Sequence, residues 1–181
     1  MKKKNIWHVF AIVVTVISLS AACNKDEGIV LDFDITVPEN WIHYTLASQG
    51  LVYSAERSAE TTEDSIREYL LVYKEPLSGY NLNTYYSAVK TNILASEYYV
   101  STLLEKDTTI NGATSKKLIC NEIGYYITPE KDTSDVSLIT TRYFFFENEA
   151  GYNVGMVAVD TTYYRVKPVF DEIIASFQFK N

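Results

Sequence analysis

One stretch of this chain changes its hydrophobic period, and that change limits the folds available to it. Between residues 78 and 99 apolar side chains recur every three to four positions, as on one face of an α-helix: Leu82, Tyr85, Tyr86, Val89, Ile93 and Leu94. Asn81 or Asn83 can cap the N-terminus of this helix. The segments on both sides have the patterns of β-strands. The sequence therefore predicts an α+β fold, with one long helix between two groups of strands.

Three strands are predicted before this helix. Phe33, Ile35 and Val37 alternate with polar residues, which is typical of a half-buried strand that ends at Pro38. The segment from Pro38 to Trp41 reads as a turn. Residues 51–57 and 67–75 read as the next two strands, and an acidic loop joins them.

Two hairpins are predicted after the helix. Asn111-Gly112 lies between β-prone runs, and both residue types accept the positive φ of a tight hairpin turn. A second hairpin turns near residues 148–151, and residues 142–148 read as a central strand covered on both faces. A short closing helix is predicted from Pro168, which suits a first helical turn; its apolar face comprises Val169, Phe170, Ile173, Ile174 and Phe177.

The first 22 residues have the organisation of a secretory signal. Three lysines at positions 2–4 precede a nearly continuous apolar run over residues 6–19. This run is shorter than the roughly 20 residues that a membrane-spanning helix needs. Ser20, Ala21 and Ala22 then lead directly to Cys23.

Residues 20–23 resemble the lipobox of bacterial lipoproteins. In that family the cysteine thiol takes a diacylglycerol, and the signal is cut just before the cysteine. The resemblance implies a lipid on Cys23, a tether over residues 23–30 and attachment to a membrane. An ordinary signal peptide with a chance cysteine, and a retained membrane anchor, are the alternatives.

The residues after Cys23 suggest an export signal that determines where the protein is located. Lys25, Asp26 and Glu27 resemble the short export tag of Bacteroidetes surface lipoproteins. That resemblance implies the outer membrane and display at the cell surface. The alternative is a solvated tether on a protein that faces the periplasm.

Charge excludes two classes of partner. The chain carries a net charge of −7, and loss of the three lysines with residues 1–22 would make it −10. Binding to nucleic acid and docking on anionic lipid both depend on basic residues. Neither kind of contact is therefore expected. Residues 31–181 have the length and the apolar content of a single domain.

The order of these elements resembles the Mog1/PsbP-like fold. The matching segments are residues 33–41, where a strand ends at a proline before a tryptophan, the helix at residues 80–93, the hairpin at residues 109–120 and the closing segment at residues 168–179. The resemblance implies a central antiparallel β-sheet flanked by helices. Its members look like assembly, accessory or protein-binding modules without a shared catalytic set.

Side chains that could perform chemistry are few. Cys120 is either a nucleophile or a small buried strand residue. His43, the one histidine beyond the signal, is either a general base or a ring packed among aromatic residues. Acidic residues cluster in two regions, where opportunistic Ca²⁺ binding is the alternative to solvated loops: Glu56, Glu60, Glu63, Asp64 and Glu68, then Glu130, Asp132 and Asp135. No catalytic residue, cofactor or metal is therefore assigned.

Tyrosine is the most distinctive residue type, with 15 copies. Tyrosine is common in β-sheets, and it also supplies rigid contact area with a polar tip at binding surfaces. A partner or glycan site is expected only where several tyrosines share one exposed face; the candidates are Tyr44, Tyr53, Tyr73, Tyr98, Tyr125 and Tyr126.

Three functions are compatible with the sequence. The first is a non-enzymatic, lipid-anchored envelope protein that binds a protein partner as an accessory module. The second is a carrier or sensor of a small apolar ligand, which needs a cavity of several hundred Å³ between sheet and helices. The third is a hydrolase that uses His43 and carboxylates.

Overall fold

The computed structural model describes residues 30–57, 68–127 and 133–180. The signal, Cys23, Lys25, Asp26 and Glu27 lie outside the described residues. In chain order the elements are β1 (Phe33–Asp34), β2 (Trp41–Ser48), β3 (Leu51–Arg57), β4 (Tyr69–Pro76), α1 (Leu82–Leu94), β5 (Tyr99–Ile110), β6 (Ala113–Ile127), β7 (Thr133–Glu147), β8 (Ala150–Val159), α2 (Asp160–Ser176) and β9 (Gln178–Phe179).

Strands β2 to β8 form one antiparallel sheet in the order β2-β3-β4-β8-β7-β6-β5. The two helices cover opposite faces of it. Successive side chains of a strand point to opposite faces, and Phe144 belongs to the apolar cluster of α1, whereas Phe145 belongs to that of α2. The predicted α+β class and the antiparallel sheet are confirmed. Within the described residues, neither helix is long and apolar enough to cross a membrane.

The face under α2 carries the larger core. Phe33, Phe145 and Phe177 are almost completely buried, and the Phe145 and Phe177 rings stack with their centroids 4.9 Å apart. Strands β1 and β9 pair beside this cluster, with Phe33 opposite Phe179. The beginning and the end of the domain are thereby held together.

Three tight turns join neighbouring strands. Asn111 and Gly112 have φ values of 47° and 84°, and Asn148 and Glu149 have values of 48° and 58°. Both turns stand where the sequence predicts them. Asparagine and glycine tolerate the left-handed backbone at Asn111, Gly112 and Asn148, and Glu149 adopts it too. Gln49 and Gly50, with φ values of 50° and 84°, make a third turn that the sequence reading missed.

Helix α1 begins as its sequence indicates. The Asn81 side chain accepts a hydrogen bond from the Thr84 backbone N–H (3.0 Å), and the Thr84 hydroxyl accepts one from the Asn81 N–H (2.8 Å). This reciprocal cap satisfies two backbone donors that a helix end leaves unpaired. Tyr85, Tyr86 and Val89 are the buried part of the predicted apolar stripe, whereas Leu94 is exposed.

Two strand predictions need correction. Only Phe33 and Asp34 form a ladder at the N-terminus, although Ile35 and Val37 still pack against the core. The predicted turn at Pro38 is present, since the Trp41 N–H donates to the Pro38 carbonyl (2.9 Å). Trp41 then opens β2, an edge strand that the sequence reading missed because its apolar alternation is weak.

The second helix begins earlier than the sequence indicates. Helix α2 starts at Asp160, so Pro168 lies inside it rather than in its first turn. Tyr163 is buried in its first turns, and that contact with the core extends the helix toward its N-terminus. The prediction failed because proline was taken as a start signal at a position where the helix tolerates it.

Candidate functional site

The candidate nucleophile and the candidate base are separate and built into the sheet. Cys120 lies in β6 with no exposed surface, and burial raises the pKa of its thiol, which opposes the thiolate form. His43 lies in the edge strand β2, and its ring stacks on Tyr53 with centroids 5.9 Å apart. The placement of Cys120 agrees with its packing interpretation. His43 also stacks on an aromatic ring, but its side chain is exposed at the edge of the sheet rather than enclosed among aromatic residues.

The acidic residues of the two predicted loops do not form one site in the described residues. Glu68 is buried and forms an ion pair with Arg57, and Asp135 is exposed on β7. Glu56 lies in β3. The other acids of the two regions, Glu60, Glu63, Asp64, Glu130 and Asp132, lie outside the described residues. Among the residues that the structure describes, no three His, Cys, Asp or Glu side chains gather closely enough to hold a metal ion.

A buried group of hydrogen-bonded polar side chains lies on the sheet face under α1. Arg142 of β7 donates from Nη1 to Glu122 Oε1 (2.6 Å) and from Nη2 to Glu122 Oε2 (3.0 Å). The Thr140 hydroxyl also donates to Oε2 (3.0 Å). The Arg142 and Glu122 side chains are only 6% and 10% exposed. Their charges cancel, so the pair forms a rigid, nearly neutral floor rather than a charged one.

A pocket of about 60 Å³ opens above this pair, and we call it the α1-side pocket. Its roof is the second half of α1 and the turn that follows, with Val89, Asn92, Ile93 and Ser96. Leu71 and Val157 form part of the apolar wall of the pocket. The pocket is partly open to solvent, and Asn92 lies exposed on its rim.

A glycine forms part of the lining of the α1-side pocket. Gly155 of β8 lines it, opposite Leu71 of β4 and Arg142 of β7 in the ladder. A Cβ atom placed on Gly155 would stand 3.9 Å from Arg142 Cγ and 4.0 Å from Asn153 Oδ1. A Cβ atom would therefore fit at this position in van der Waals contact with both polar residues and without a clash.

Two hydrogen-bonding groups in this pocket have spare capacity. Asn153 Oδ1 is buried and has no hydrogen-bond partner among the described residues. Arg142 has five N–H donors, and within the described chain its side chain donates only to Glu122. Asn153, with its unpartnered acceptor, and Arg142 thus line the same small space.

Only part of the tyrosine set converges here. Tyr73 and Tyr98 line the α1-side pocket together with Tyr99. Burial raises the pKa of Tyr73 although the Arg142 charge opposes the shift, so this phenol stays neutral in the physiological range. The Tyr98 ring also meets Tyr125 edge to face, with centroids 5.7 Å apart.

The other candidate tyrosines lie elsewhere. Tyr53 is buried in the core under α2, and Tyr44 is exposed on the edge strand β2. The Tyr126 side chain lies outside what the structure describes. Tyr73 and Tyr98 thus line one pocket, but both are half-buried, so a shared exposed tyrosine face stays a prediction.

A wider cleft of about 630 Å³ lies at one end of the sheet. Asn81 and Leu82 of α1 border it, together with Phe146 and Phe179. It is open to solvent along its length. The α1-side pocket, at about 60 Å³, is far below the ~300 Å³ of typical small-molecule sites.

Sequence reasoning missed the residues that build this pocket. Glu122, Arg142, Asn153 and Gly155 drew no attention, because each stands within a strand that reads as apolar or mixed. One usable signal was present. Arg142 heads the run of aromatic residues in the central strand, and an arginine in a strand covered on both faces requires a buried partner.

Comparison with solved structures finds proteins of similar fold. The chain is similar to LpqN of Mycobacterium tuberculosis, which is involved in cell envelope biogenesis, with a TM-score of 0.59 and 8% identity over 82% of this chain and 83% of that one. It is also similar to the cyanobacterial PsbP protein, CyanoP, of Synechocystis sp. PCC 6803, with a TM-score of 0.53 and 11% identity over 82% of this chain and 86% of that one.

A third similar structure is PA94, a protein of unknown function from Pseudomonas aeruginosa. Its TM-score is 0.54 at 10% identity, over 78% of this chain and 99% of that one. No protein-family model matches the chain, and no curated protein matches it in sequence. At such low identities the likeness shows a PsbP-like fold, and it carries no residue roles with it.

Proposed function

We propose that this chain is a lipid-anchored protein of the cell envelope whose PsbP-like domain serves as a non-enzymatic accessory module and binds a protein partner. A protein of similar fold takes part in cell envelope biogenesis. The sequence adds the lipobox at residues 20–23 and the acidic tag that follows it. We place the protein at the outer membrane, facing the cell surface, with the periplasmic face as the alternative.

The anchor makes membrane attachment independent of the folded domain. Each buried methylene of an acyl chain contributes ~0.8 kcal/mol, so two or three chains on Cys23 would hold the protein stably. The domain itself needs no lipid-binding surface. Its acidic charge would keep it away from anionic headgroups and from nucleic acid.

The observation that carries the binding proposal is the α1-side pocket. Partner side chains that dominate an interface are buried in well-formed, desolvated pockets near its centre. Here the floor is fixed by the Arg142–Glu122 pair, and tyrosines border the opening. A space of about 60 Å³ accepts the end of one side chain, and it is too small for a lipid or a sugar.

The anchor is tested by Cys23→Ala. The variant is expected to lose acyl mass and to accumulate as a precursor or in the soluble fraction. A Cys23→Ala protein that is processed and still partitions with membranes would refute the lipid anchor.

The binding surface is tested by site-specific photocrosslinking in intact cells. A photoreactive amino acid replaces Asn92, at the rim of the pocket, and separately Tyr164, which is 77% exposed on α2 across the sheet. A discrete crosslinked protein from position 92, absent from position 164, supports the proposal. Equal products from both positions, or none from position 92, would contradict it.

A further inference from the structure

The geometry points to a primary carboxamide as the group that the α1-side pocket accepts, and we propose that it belongs to an asparagine or glutamine side chain of the protein partner. This inference rests on the proposed function, because it supplies the chemistry of the contact that the pocket makes. Three features of the pocket lead to it.

The first feature is the charge of the floor. Arg142 and Glu122 neutralise each other through two hydrogen bonds, and both side chains are at least nine-tenths buried. A carboxylate or an ammonium group entering this space would lose its hydration and meet no net opposite charge. The pocket therefore selects a neutral group.

The second feature is the pair of unused hydrogen-bonding groups. Asn153 Oδ1 is buried without a donor, and Arg142 has N–H groups beyond the two that it donates to Glu122. A primary carboxamide has an NH₂ donor and a carbonyl acceptor on one planar carbon, so one group can serve both residues. A hydroxyl offers a single atom for both tasks, and an aliphatic tip offers none.

The third feature is the size and the lining of the space. About 60 Å³ corresponds to roughly two water molecules, which is the size of a carboxamide rather than an aromatic ring. Leu71, Val89 and Ile93 line the pocket and can contact the short aliphatic stem that carries an amide in asparagine or glutamine. The partner would thus insert one such side chain beside α1.

The test uses probes that differ by one group. Binding of propionamide, butanone and propionate to the purified full-length chain is measured by ligand-observed saturation-transfer NMR. Butanone replaces the NH₂ of propionamide with a methyl group, and propionate replaces it with a charged oxygen. We expect propionamide to bind at least fivefold more tightly than either. Equal binding of the three would overturn the choice of a carboxamide, and no saturation with any of them would leave water as the occupant.

Two variants place the binding at this pocket. Gly155→Ala adds a methyl group where the nearest atoms stand 3.9 Å away, so it fills the space without a clash. Asn153→Leu has a similar volume and removes the unused acceptor. Both variants should fold and should weaken propionamide binding at least tenfold. Unchanged binding in both would place the amide elsewhere and refute the assignment.

A peptide series distinguishes a partner side chain from a free small amide. Five-residue peptides with glutamine, glutamate or methionine at the centre are capped with an N-methylamide, so that glutamine holds the only primary carboxamide. Tighter binding of the glutamine peptide than of propionamide supports a partner side chain. Binding of propionamide without binding of the peptide contradicts the protein source and identifies a small free amide.

These results separate the inference from the proposed function. Crosslinking at Asn92 without amide binding would leave the accessory module standing and remove the carboxamide. Amide binding without any crosslink would leave the carboxamide site standing and remove the partner-binding accessory module.

Discussion

Arg142 of β7 and Glu122 of β6 make two nearly parallel hydrogen bonds, of 2.6 and 3.0 Å, inside the sheet face that α1 covers. The residues stand on adjacent strands, and Thr140 donates a third hydrogen bond to the same carboxylate. The pair fixes the floor of the α1-side pocket. Removal of one partner would leave the other charge buried and uncompensated.

Glu122→Ala is expected to lower the free energy of unfolding by about 3–5 kcal/mol, because it leaves the Arg142 charge buried without a partner. The double variant Glu122→Leu with Arg142→Met should recover most of this loss, since it removes both charges together. Urea unfolding followed by circular dichroism measures the difference. The control is Asp107→Ala, which breaks the exposed pair with Lys116 and should cost less than about 1 kcal/mol. Equal losses at Glu122 and Asp107 would contradict a buried, structurally essential pair.

Two glycines of β8 lie on the same face of the sheet and should respond oppositely to alanine. A Cβ on Gly151 would stand 2.6–2.7 Å from ring atoms of Tyr85, which packs directly on it. Gly151→Ala should therefore destabilise the fold by about 1–3 kcal/mol through overpacking. Gly155→Ala meets no such contact, and it should stabilise by about 0.4–1 kcal/mol because the unfolded chain loses freedom. Thermal unfolding of both variants tests the pair, and a fall in the midpoint for Gly155→Ala would show that its surroundings are tighter than described.

The reciprocal cap of α1 gives a third prediction. Asn81→Ala removes the acceptor for the Thr84 backbone N–H and should cost about 1 kcal/mol. Asn83, the other cap candidate of the sequence, is exposed within the helix, so Asn83→Ala is the matched control and should change stability by a few tenths at most. Urea midpoints that are equal for the two variants would show that the cap is unimportant here.

These predictions also indicate which features the sequence could supply. Helix α1 and the turns at Asn111 and Asn148 depend on residues next to each other in the chain, so local pattern was sufficient for them. The extent of α2 depends on the contact of Tyr163 with a core assembled from distant strands, and local pattern misplaced its start. Pairing across strands brings Glu122 to Arg142 and Gly155 to Leu71, and the spacing of one chain does not encode those registers.

Acid should weaken the junction between the N-terminal segment and the sheet. Asp32 Oδ2 accepts hydrogen bonds from Lys74 Nζ (2.6 Å) and from the Tyr152 hydroxyl (2.5 Å). Partial burial alone would raise the pKa of Asp32, but these two hydrogen bonds and the Lys74 charge outweigh it and hold the pKa below its usual 3.8. A depressed carboxyl pKa contributes stability above the unfolded value, and that stability is lost as pH falls through the folded value.

The measurement is the urea midpoint between pH 7 and pH 2. The wild-type midpoint should fall more steeply below about pH 4 than that of Asp32→Asn, which has no charge to lose at this site. Asp34→Asn is the matched control, because Asp34 is exposed two residues away and its carboxylate pairs with Lys180 Nζ at 3.2 Å. Parallel curves for wild type and Asp32→Asn would contradict the stabilising role of the Asp32 carboxylate.

The final prediction concerns the proposed export signal at residues 25–27. Replacement of Lys25, Asp26 and Glu27 together by alanine leaves Cys23 and the residues before it intact, so acylation and membrane attachment should persist. Surface display should be lost, because the tag that resembles an export signal is gone. Protease treatment of intact cells, followed by detection of the surviving chain, measures this. The wild type should be digested and the triple variant protected, whereas both should be digested once the outer membrane is opened. Protection of the wild type in intact cells would instead place the domain on the periplasmic side, where the residues after Cys23 serve only as a solvated tether.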